Sequence, residues 1–443
     1  MFSFRIPSIF LIYRRNIGCI VRQGSVNADK KLETPADIAK FIEKCSRLHS
    51  ENKSLDYERC KKSVDSFLRG INQFTVAEVR TIAYNITGMF PDQKNPDWSS
   101  TISNFTLKRS YMMPVYFLYP LINSVCKMGM KETSFYNKVL PIALERIDEA
   151  NSIDLATISQ TMVLLKNRKI PVDSNLVKSI MNNVSKMCLT DRIITEISAT
   201  NSVLILYSFA KLNIFDEVLF PKLLGLVKHI NKENFEPHLI PLVLYVLSIF
   251  NVRDHSAFSL IFDYISEFSH LMKYENLANC LNSMARLNIR SHSVIRELVE
   301  NLRKHLPSIR VRELANVMWS LSKLKYNDSD FMNECFNRVQ EYDYIDPMSH
   351  AQIFEAIKRT NFNKEDTVDH LLRKYIPIMK ESPTQVITQV AWCCFVQNID
   401  KYNLIKDSLE ELSKRELNKV ELKYVNLLSK SLTDCGGEQS SVQ

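Results

Sequence analysis

The chain carries an internal repeat, and this repeat limits its possible folds more than any other feature. The segment from Leu277 to Leu287 reads Leu-Ala-Asn-Cys-Leu-Asn-Ser-Met-Ala-Arg-Leu, and that from Leu314 to Leu324 reads Leu-Ala-Asn-Val-Met-Trp-Ser-Leu-Ser-Lys-Leu. The two segments share Leu-Ala-Asn, a basic residue and a closing Leu at equal offsets, 37 residues apart. Self-similarity at a fixed period of about 20 to 50 residues is typical of solenoids and other repeat arrays.

The same unit can be followed along most of the chain when Asn282 is taken as register zero. Equivalent positions recur at intervals of 36 to 44 residues. They are Ile82, Asn123, Val163, Tyr207, Tyr245, Asn282, Trp319, Glu355 and Trp392. A last, shorter copy is predicted from Glu421 to Leu432. A hairpin of two helices cannot bury its apolar stripe alone, whereas stacked copies can.

Each unit is predicted to turn a corner at the seventh position of this register. Seven of the nine residues there are Gly or Asn, which tolerate the left-handed conformation that ends a helix. The nine are Gly88, Gly129, Lys169, Asn213, Asn251, Asn288, Lys325, Asn361 and Asn398. The next residue is apolar in every unit and can pack back on the helix that ends there. Residues suited to begin a second helix follow the corner: Asp173, Asp216, Asp254, Ser291 and Asp328.

The glycine content points to the same class of fold. Only 8 glycines are present, and Gly225 is the single one between Met130 and Asp434. A fold rich in β-sheet needs more glycine for its tight turns. We therefore predict an all-α chain, folded as a right-handed α-solenoid of about nine helix-turn-helix repeats with a period near 37 residues.

The first residues have the composition of a targeting sequence. Four arginines precede the first acidic residue, Asp29, which is typical of an organellar transit peptide. The apolar stretch from Ile6 to Tyr13 contains Pro7 and ends in two arginines, which disfavours a secretory signal. We predict a mitochondrial transit peptide over residues 1–28, with a plastid or secretory address as the alternative. A helical cap at 29–70, the solenoid at 71–433 and a disordered tail at 434–443 complete the predicted domains.

Three positions on the first helix of each unit predict a ligand-binding surface. Offset −3 carries amides at Gln160, Asn279, Asn316, Gln352 and Gln389. Offset zero carries aromatic rings at Tyr207, Tyr245, Trp319 and Trp392. Offset +4 carries cations at Lys127, Lys211, Arg286, Lys323 and Arg359. The three offsets lie within about 60° of one another and face away from the apolar residues of the helix. Amides can bind base edges, rings can stack on bases and cations can hold phosphate, so these residues are candidates for RNA binding.

Structural explanations of the same pattern stay open. Amides at one helical offset can form a ladder between adjacent repeats. A basic residue near the end of a helix also interacts favourably with the helix dipole and the last carbonyl groups. Trp319 and Trp392 can serve in packing.

The segment from Leu314 to Leu324 resembles the first helix of heptatricopeptide and octotricopeptide repeats. These arrays belong to organellar RNA-binding families, which include the RAP-domain and FAST-kinase-like proteins. The resemblance implies a mitochondrial role in RNA binding or in association with the mitochondrial ribosome. No RAP-like module follows the repeats in this sequence, so the resemblance implies no nuclease-like activity here.

The residues that catalysis or metal binding requires are scattered. The nine histidines are dispersed, and neither an H-E-x-x-H motif nor a phosphate-binding loop occurs. The consecutive Asp254, His255 and Ser256 cannot converge as a triad, because neighbouring residues point in different directions. Ten cysteines without a C-x-x-C motif indicate neither a zinc site nor a disulfide framework. We predict a non-enzyme without a cofactor, a metal or a membrane span.

The net charge of +8 permits a nucleic-acid partner, although part of it lies in the first 31 residues. We expect a non-catalytic RNA-binding protein of the mitochondrial matrix, with single-stranded or ribosomal RNA as its partner. One alternative is a subunit or assembly factor of the mitochondrial ribosome, in contact with ribosomal proteins. The other is a protein scaffold of the HEAT or tetratricopeptide type that does not contact RNA.

Overall fold

A computed structural model describes residues 34–51, 56–90, 95–228, 236–362, 364–399 and 403–438. The predicted transit peptide at 1–28 lies outside these residues. Within them the secondary structure is helical, with no β-strand, which confirms the all-α prediction. The chain divides into two compact units, one up to Val227 and one from Lys228 onwards.

The first unit is built from successive helical pairs. Its helices are α1 (Pro35–Ser50), α2 (Tyr57–Arg69), α3 (Val76–Met89), α4 (Pro96–Arg109), α5 (Val115–Lys127), α6 (Thr133–Glu145), α7 (Ser152–Asn167), α8 (Ser174–Cys188), α9 (Asp191–Ile194), α10 (Ala199–Leu212) and α11 (Leu219–Lys228), which ends at the unit boundary. The first helices of the pairs pack on one another in the order α1, α3, α5, α7 and α10, and form a first row. The second helices α2, α4, α6 and α8 form a second row in the same way. The segment predicted as a cap, α1 and α2, thus packs as a further pair.

The second unit repeats this arrangement. Its helices are α12 (Ile240–Ile249), α13 (His255–Phe268), α14 (Tyr274–Leu287), α15 (His292–His305), α16 (Val311–Leu324), α17 (Ser329–Gln340), α18 (Pro347–Thr360), α19 (Glu365–Tyr375), α20 (Thr384–Val396), α21 (Leu404–Leu412) and α22 (Lys419–Glu438). Here the first row is α12, α14, α16, α18, α20 and α22. In the second row α13 packs on α15, and α17 packs on α19. Stacked helical pairs in both units confirm the predicted repeat architecture, while its handedness stays a prediction. The disordered tail was expected from Asp434, whereas α22 continues to Glu438.

The corners between paired helices are left-handed, as the sequence predicts. Positive φ angles occur at Gly129, Lys169, Asn213, Asn251, Asn288, Lys325, Asn361 and Asn398. After each of these residues, the next N–H donates to the carbonyl oxygen five residues earlier, at N···O distances from 2.8 to 3.3 Å. This hydrogen bond satisfies one of the last carbonyl groups of the first helix and turns the chain towards the second.

The expected corner at Gly88 is wrong. Gly88 lies inside α3, which continues to Met89. The helix ends at Phe90, whose φ and ψ are −126° and 59°. Pro91 follows, and the residue before a proline is disfavoured in the helical conformation, so proline rather than glycine sets this end.

The expected start signals of the second helices are confirmed at four aspartates. Asp173, Asp216, Asp254 and Asp328 each accept a hydrogen bond from a backbone N–H in the first turn that follows. Ser291 is the exception, because it precedes α15 without a capping hydrogen bond from its side chain. Its hydroxyl lies 3.5 Å from that of Ser293 instead.

Basic residues beyond the predicted set bind adjacent pairs together within each unit. At the end of a second helix or within a few residues after it, a cation donates to a carbonyl group in the linker that closes the preceding pair. These linker clasps run from Arg146 to Met113, from Arg192 to Ala150, from Arg338 to Pro307, from Lys374 to Tyr342 and from Arg415 to Ser382. The hydrogen bonds satisfy backbone acceptors in the linkers, so these charges serve the fold.

The left-handed corner at Lys325 yields a prediction about stability. A side chain with a Cβ atom is strained at its φ of 55°, and glycine is not. We expect Lys325→Gly to raise the free energy of unfolding by up to about 1 kcal/mol, measured by urea denaturation with circular dichroism. Lys325→Ala is the matched control, since it removes the same charge but keeps the Cβ atom. Equal stabilities for the two variants would contradict this explanation.

Candidate nucleic-acid interface

First-row helices have little open surface, because each packs on adjacent first-row helices and most also pack on the second helix of their own pair. In α10, every residue from Asn201 to Ala210 is buried. The apolar arc of α16, formed by Leu314, Met318, Leu321 and Leu324, is buried as predicted. Much of the sector expected to face a ligand is covered as well. The candidate residues therefore divide into buried and accessible groups.

The amides at offset −3 include a bonded pair between adjacent first-row helices. Asn316 on α16 and Gln352 on α18 are 8% and 6% exposed, and Gln352 Nε2 donates to Asn316 Oδ1 over 2.8 Å. Gln389 Nε2 donates to the carbonyl oxygen of Ala351 over 3.4 Å. Asn279 on α14 is half-buried. Asn316 and Gln352 therefore form a hydrogen-bonded ladder between adjacent repeats. They are not placed to bind RNA bases, because their side chains are buried and bonded to each other.

The two tyrosines at offset zero are core residues. Tyr207 is 1% exposed and Tyr245 is 8% exposed, and burial raises the pKa of Tyr245 above its usual value. A ring without an open face cannot stack on a base. The expectation that Tyr207 and Tyr245 contact bases is therefore corrected. The sequence could not reveal this, because the neighbouring helices that cover the rings lie far away along the chain.

The two tryptophans at offset zero are both half-buried but differ in their surroundings. Trp392 packs against Phe395 and Tyr424, with ring centroids 5.7 and 5.3 Å away, beside the core residue Leu428. Trp319 instead lies beneath a cation, since Lys323 Nζ is 4.7 Å from its ring centroid. A cation over an indole face is an attractive contact of about 0.5–2 kcal/mol. Trp319 thus positions Lys323.

The offset +4 cations of α14, α16 and α18 form a connected group, which we call the cation stripe: Arg286, Lys323 and Arg359. Burial, followed by the positive charges of Arg359 and Arg286, lowers the pKa of Lys323 below its usual value. Within the part of the chain that the structure describes, no carboxylate forms an ion pair with Lys323. Three like charges on successive helices create a local positive potential that favours an anion.

The two arginines of the cation stripe have partners of their own. Arg286 Nε donates to Asn282 Oδ1 over 3.0 Å, and burial lowers the pKa of its guanidinium. Arg359 forms a 2.8 Å ion pair with Glu355, which also pairs with Lys358 at 2.7 Å. Glu355 is buried at offset zero of α18, where four other units carry an aromatic ring, so the repeat pattern does not predict its carboxylate. Its carboxylate reduces the positive potential at one end of the stripe.

The two remaining predicted cations, Lys127 and Lys211, lie in the first unit. Both are half-buried at the carboxyl ends of α5 and α10. Burial, with the nearby charge of Arg168 as a further cause, lowers the pKa of Lys127 to about 8. Lys211 Nζ lies 5.5 Å from the centroid of the Tyr207 ring.

The described residues were also compared with the requirements of a metal site, a membrane span and a catalytic triad. No group of three or more His, Cys, Asp or Glu side chains there could hold a metal ion. None of the helices described is both long and apolar enough to cross a membrane. Asp254 caps α13 and accepts from Ser256 Oγ, so the Asp-His-Ser run serves a helix terminus.

Comparison with known proteins identifies the family. The family described as "RNA-editing substrate-binding complex 6 protein" matches residues 64–329, more than half of the 443 residues. The chain belongs to this family. The matched region includes the first two residues of the cation stripe, Arg286 and Lys323, and ends before Arg359. The family is associated with RNA, as its description states, and the heptatricopeptide and RAP-type resemblance stays a prediction.

Other comparisons add little to this result. No curated protein matches the chain. Among solved structures, a homology model of the full-length AP-3 complex matches at 10% identity with 91% of each chain covered and a TM-score of 0.32. A circular tandem repeat protein with novel repeat topology matches at 12% identity, again with 91% of each chain covered, and a TM-score of 0.19. Similarity at these TM-scores carries no argument about fold or function.

The amide pair generates a prediction about stability. Asn316→Ala removes the buried acceptor of Gln352, and an unpaired buried donor costs about 1–3 kcal/mol. We expect both Asn316→Ala and Gln352→Ala to destabilise the protein, with the double variant less destabilised than the sum. Urea denaturation of all four proteins measures this coupling. Asn316→Ala combined with Gln389→Ala is the control and should be additive, because Gln389 bonds a backbone carbonyl instead. If the losses of stability are additive for both double variants, the amide ladder between Asn316 and Gln352 is refuted.

Proposed function

We propose that the chain binds single-stranded RNA through the cation stripe, as a non-catalytic component of an RNA-editing substrate-binding complex in the mitochondrial matrix. The observation that carries this proposal is the position of Lys323. Its ammonium lies between two arginines and above Trp319, without a carboxylate partner in the described residues. Membership of the family supports RNA as the anionic ligand.

A phosphate group suits the chemistry of the cation stripe. Lysine offers a compact charge with three donors, and arginine offers a planar fork that matches two phosphate oxygens. A bound phosphate would relieve the repulsion among Arg286, Lys323 and Arg359. Proteins that bind single strands combine such cations with aromatic rings. Trp319 is the half-exposed ring beside Lys323 and supplies that second element.

The proposed location rests on the first 28 residues. Their arginines and lack of acidic residues are typical of a mitochondrial transit peptide. The plastid address is the alternative and fits the same composition less specifically. Fluorescence microscopy of the full chain fused at its carboxyl end to a fluorescent protein, with and without residues 1–28, separates the two.

Two other functions remain as outcomes of the same experiments. A subunit or assembly factor of the mitochondrial ribosome would co-sediment with ribosomal particles in the presence of salt. A protein scaffold of the HEAT or tetratricopeptide type would bind no RNA under any salt condition. An editing-complex component binds RNA directly and sediments apart from ribosomes.

The proposal predicts the effect of neutralising the cation stripe. We expect the triple variant Arg286→Gln, Lys323→Gln and Arg359→Gln to bind oligouridine more weakly than the natural chain. Its plot of log affinity against log salt should be shallower by about 2, since each lost phosphate contact contributes about 0.7 for a single strand. Fluorescence anisotropy with a labelled oligouridine at several salt concentrations measures both quantities.

The matched control neutralises three exposed lysines elsewhere in the second unit: Lys273→Gln, Lys380→Gln and Lys406→Gln. These residues lie in linkers or on α21, away from the offset +4 positions. The control should keep the natural salt dependence. An equal change in both triple variants would show a non-specific effect of net charge and would reject the cation stripe as the site.

Glu355 supplies a test in the opposite direction. Glu355→Gln removes the carboxylate that pairs with Lys358 and Arg359, so two cations become available to phosphate. We expect tighter binding of oligouridine and a salt dependence steeper by up to about 1.4. Glu411→Gln is the control, because Glu411 pairs with the clasp residue Arg415 on another surface. Unchanged affinity in Glu355→Gln would place the RNA away from α18.

A further inference from the structure

We propose that the first unit contains a second phosphate-binding site for the same RNA, at the corner that follows α7. This corner patch consists of Lys166, Arg168 and Lys169. Its neighbours are Lys127 and Lys211, the two cations of the first unit that the sequence predicts. The inference rests on the proposed function, because it identifies a further contact for the RNA strand.

The corner patch reaches both adjacent first-row helices. Lys166 Nζ donates to the carbonyl oxygen of Lys211 at the end of α10, over 2.9 Å. Arg168 donates from its guanidinium to the carbonyl oxygen of Lys127 at the end of α5, over 3.4 Å. The side chains of Lys166 and Arg168 thereby lie at the carboxyl ends of both adjacent first-row helices, each of which carries a lysine there.

The charges of the corner patch are not neutralised by acidic residues. In the described ranges, Lys166, Arg168 and Lys169 form no ion pair with a carboxylate. Arg146, a linker clasp in the same unit, differs because it pairs with Glu149 at 2.8 Å. Each cation that bonds a carbonyl group keeps further donors, since lysine has three N–H groups and arginine has five. These donors and the full positive charge remain for an anion.

The backbone at Lys169 is strained, and this supports a function together with the charged residues beside it. Its φ is 55°, a conformation that costs a side chain with a Cβ atom about 1 kcal/mol or more. Most other corners of this chain hold Gly or Asn, so the fold does not require a lysine there. Lys169 is also exposed. Lys325 has the same φ, so the strain alone assigns no function; at Lys169 it adds to the exposed charge and to the neighbouring Lys166 and Arg168.

A purely structural role makes a different prediction. Lys166 and Arg168 satisfy carbonyl groups at helix ends and favour the helix dipole, which is a contribution to stability alone. Glutamine can donate to the same carbonyl groups but carries no charge. Substitution by glutamine therefore separates hydrogen bonding within the protein from attraction of phosphate.

The experiment uses the full chain and a labelled oligouridine. We expect Lys166→Gln, Arg168→Gln and Lys169→Gln together to make the salt dependence of binding shallower by about 2, as three lost phosphate contacts require. The matched control is Lys61→Gln, Lys62→Gln and Lys138→Gln, exposed lysines on second-row helices of the same unit. The control should bind like the natural chain.

A second variant protects the test against loss of folding. Lys169→Gly relieves the strained corner, so it should unfold at a higher urea concentration while its salt dependence becomes shallower by about 0.7. A triple variant and a Lys169→Gly variant that both keep the natural salt dependence would overturn the corner patch. If the cation-stripe variant still weakens binding, the proposed function stands without it. If the natural chain binds no oligouridine, the proposed function itself fails.

Discussion

The fold depends on one hydrogen bond that recurs at the corners. The N–H that follows a left-handed residue donates to a carbonyl group five residues earlier, as Ile289 does to Met284 and Tyr326 to Leu321. This bond ends the first helix and aims the chain into the second. The bond recurs at eight of the corners that the structure describes, and at these corners it directs the second helix back along the first so that the rows can stack. The corner also fixes where the carboxyl end of each first-row helix lies, and the binding candidates lie at that end.

The role of each cation near these helix ends is set by the groups around it and not by its own chemistry. Arg253 donates to the carbonyl oxygen of Leu287 over 3.0 Å and so completes a helix terminus. Arg359 has a carboxylate partner in Glu355. Lys323 has a ring beneath it and like charges beside it, and no carboxylate in the described residues forms an ion pair with it. A basic residue therefore stabilises backbone, balances an acid or attracts an anion, according to the groups that its own helix and the adjacent helices place next to it.

The sequence predicts what is local and misses what is distant. The corners are predictable because the preference of Asn and Gly for positive φ belongs to single residues, and Gly88 fails only because Pro91 comes soon after it. The burial of Tyr207 and the bond between Asn316 and Gln352 depend on helices about 37 residues away. A helical wheel shows which residues share a face but not which face a neighbour covers. The repeat pattern did not predict Lys166 and Arg168, because they stand on either side of offset +4 and the candidates were taken from offset +4 itself.

The cation stripe also has a definite length, which the repeat explains. One helical pair contributes one side chain at offset +4, so a run of charge can extend only as far as successive pairs supply it. In the second unit the equivalent position is Ile249 on α12 and Val396 on α20. Apolar residues thus bound the stripe on both sides of Arg286, Lys323 and Arg359. An RNA strand on this surface would contact offset +4 cations of three helical pairs. A longer strand would bind no more tightly through offset +4 in this unit.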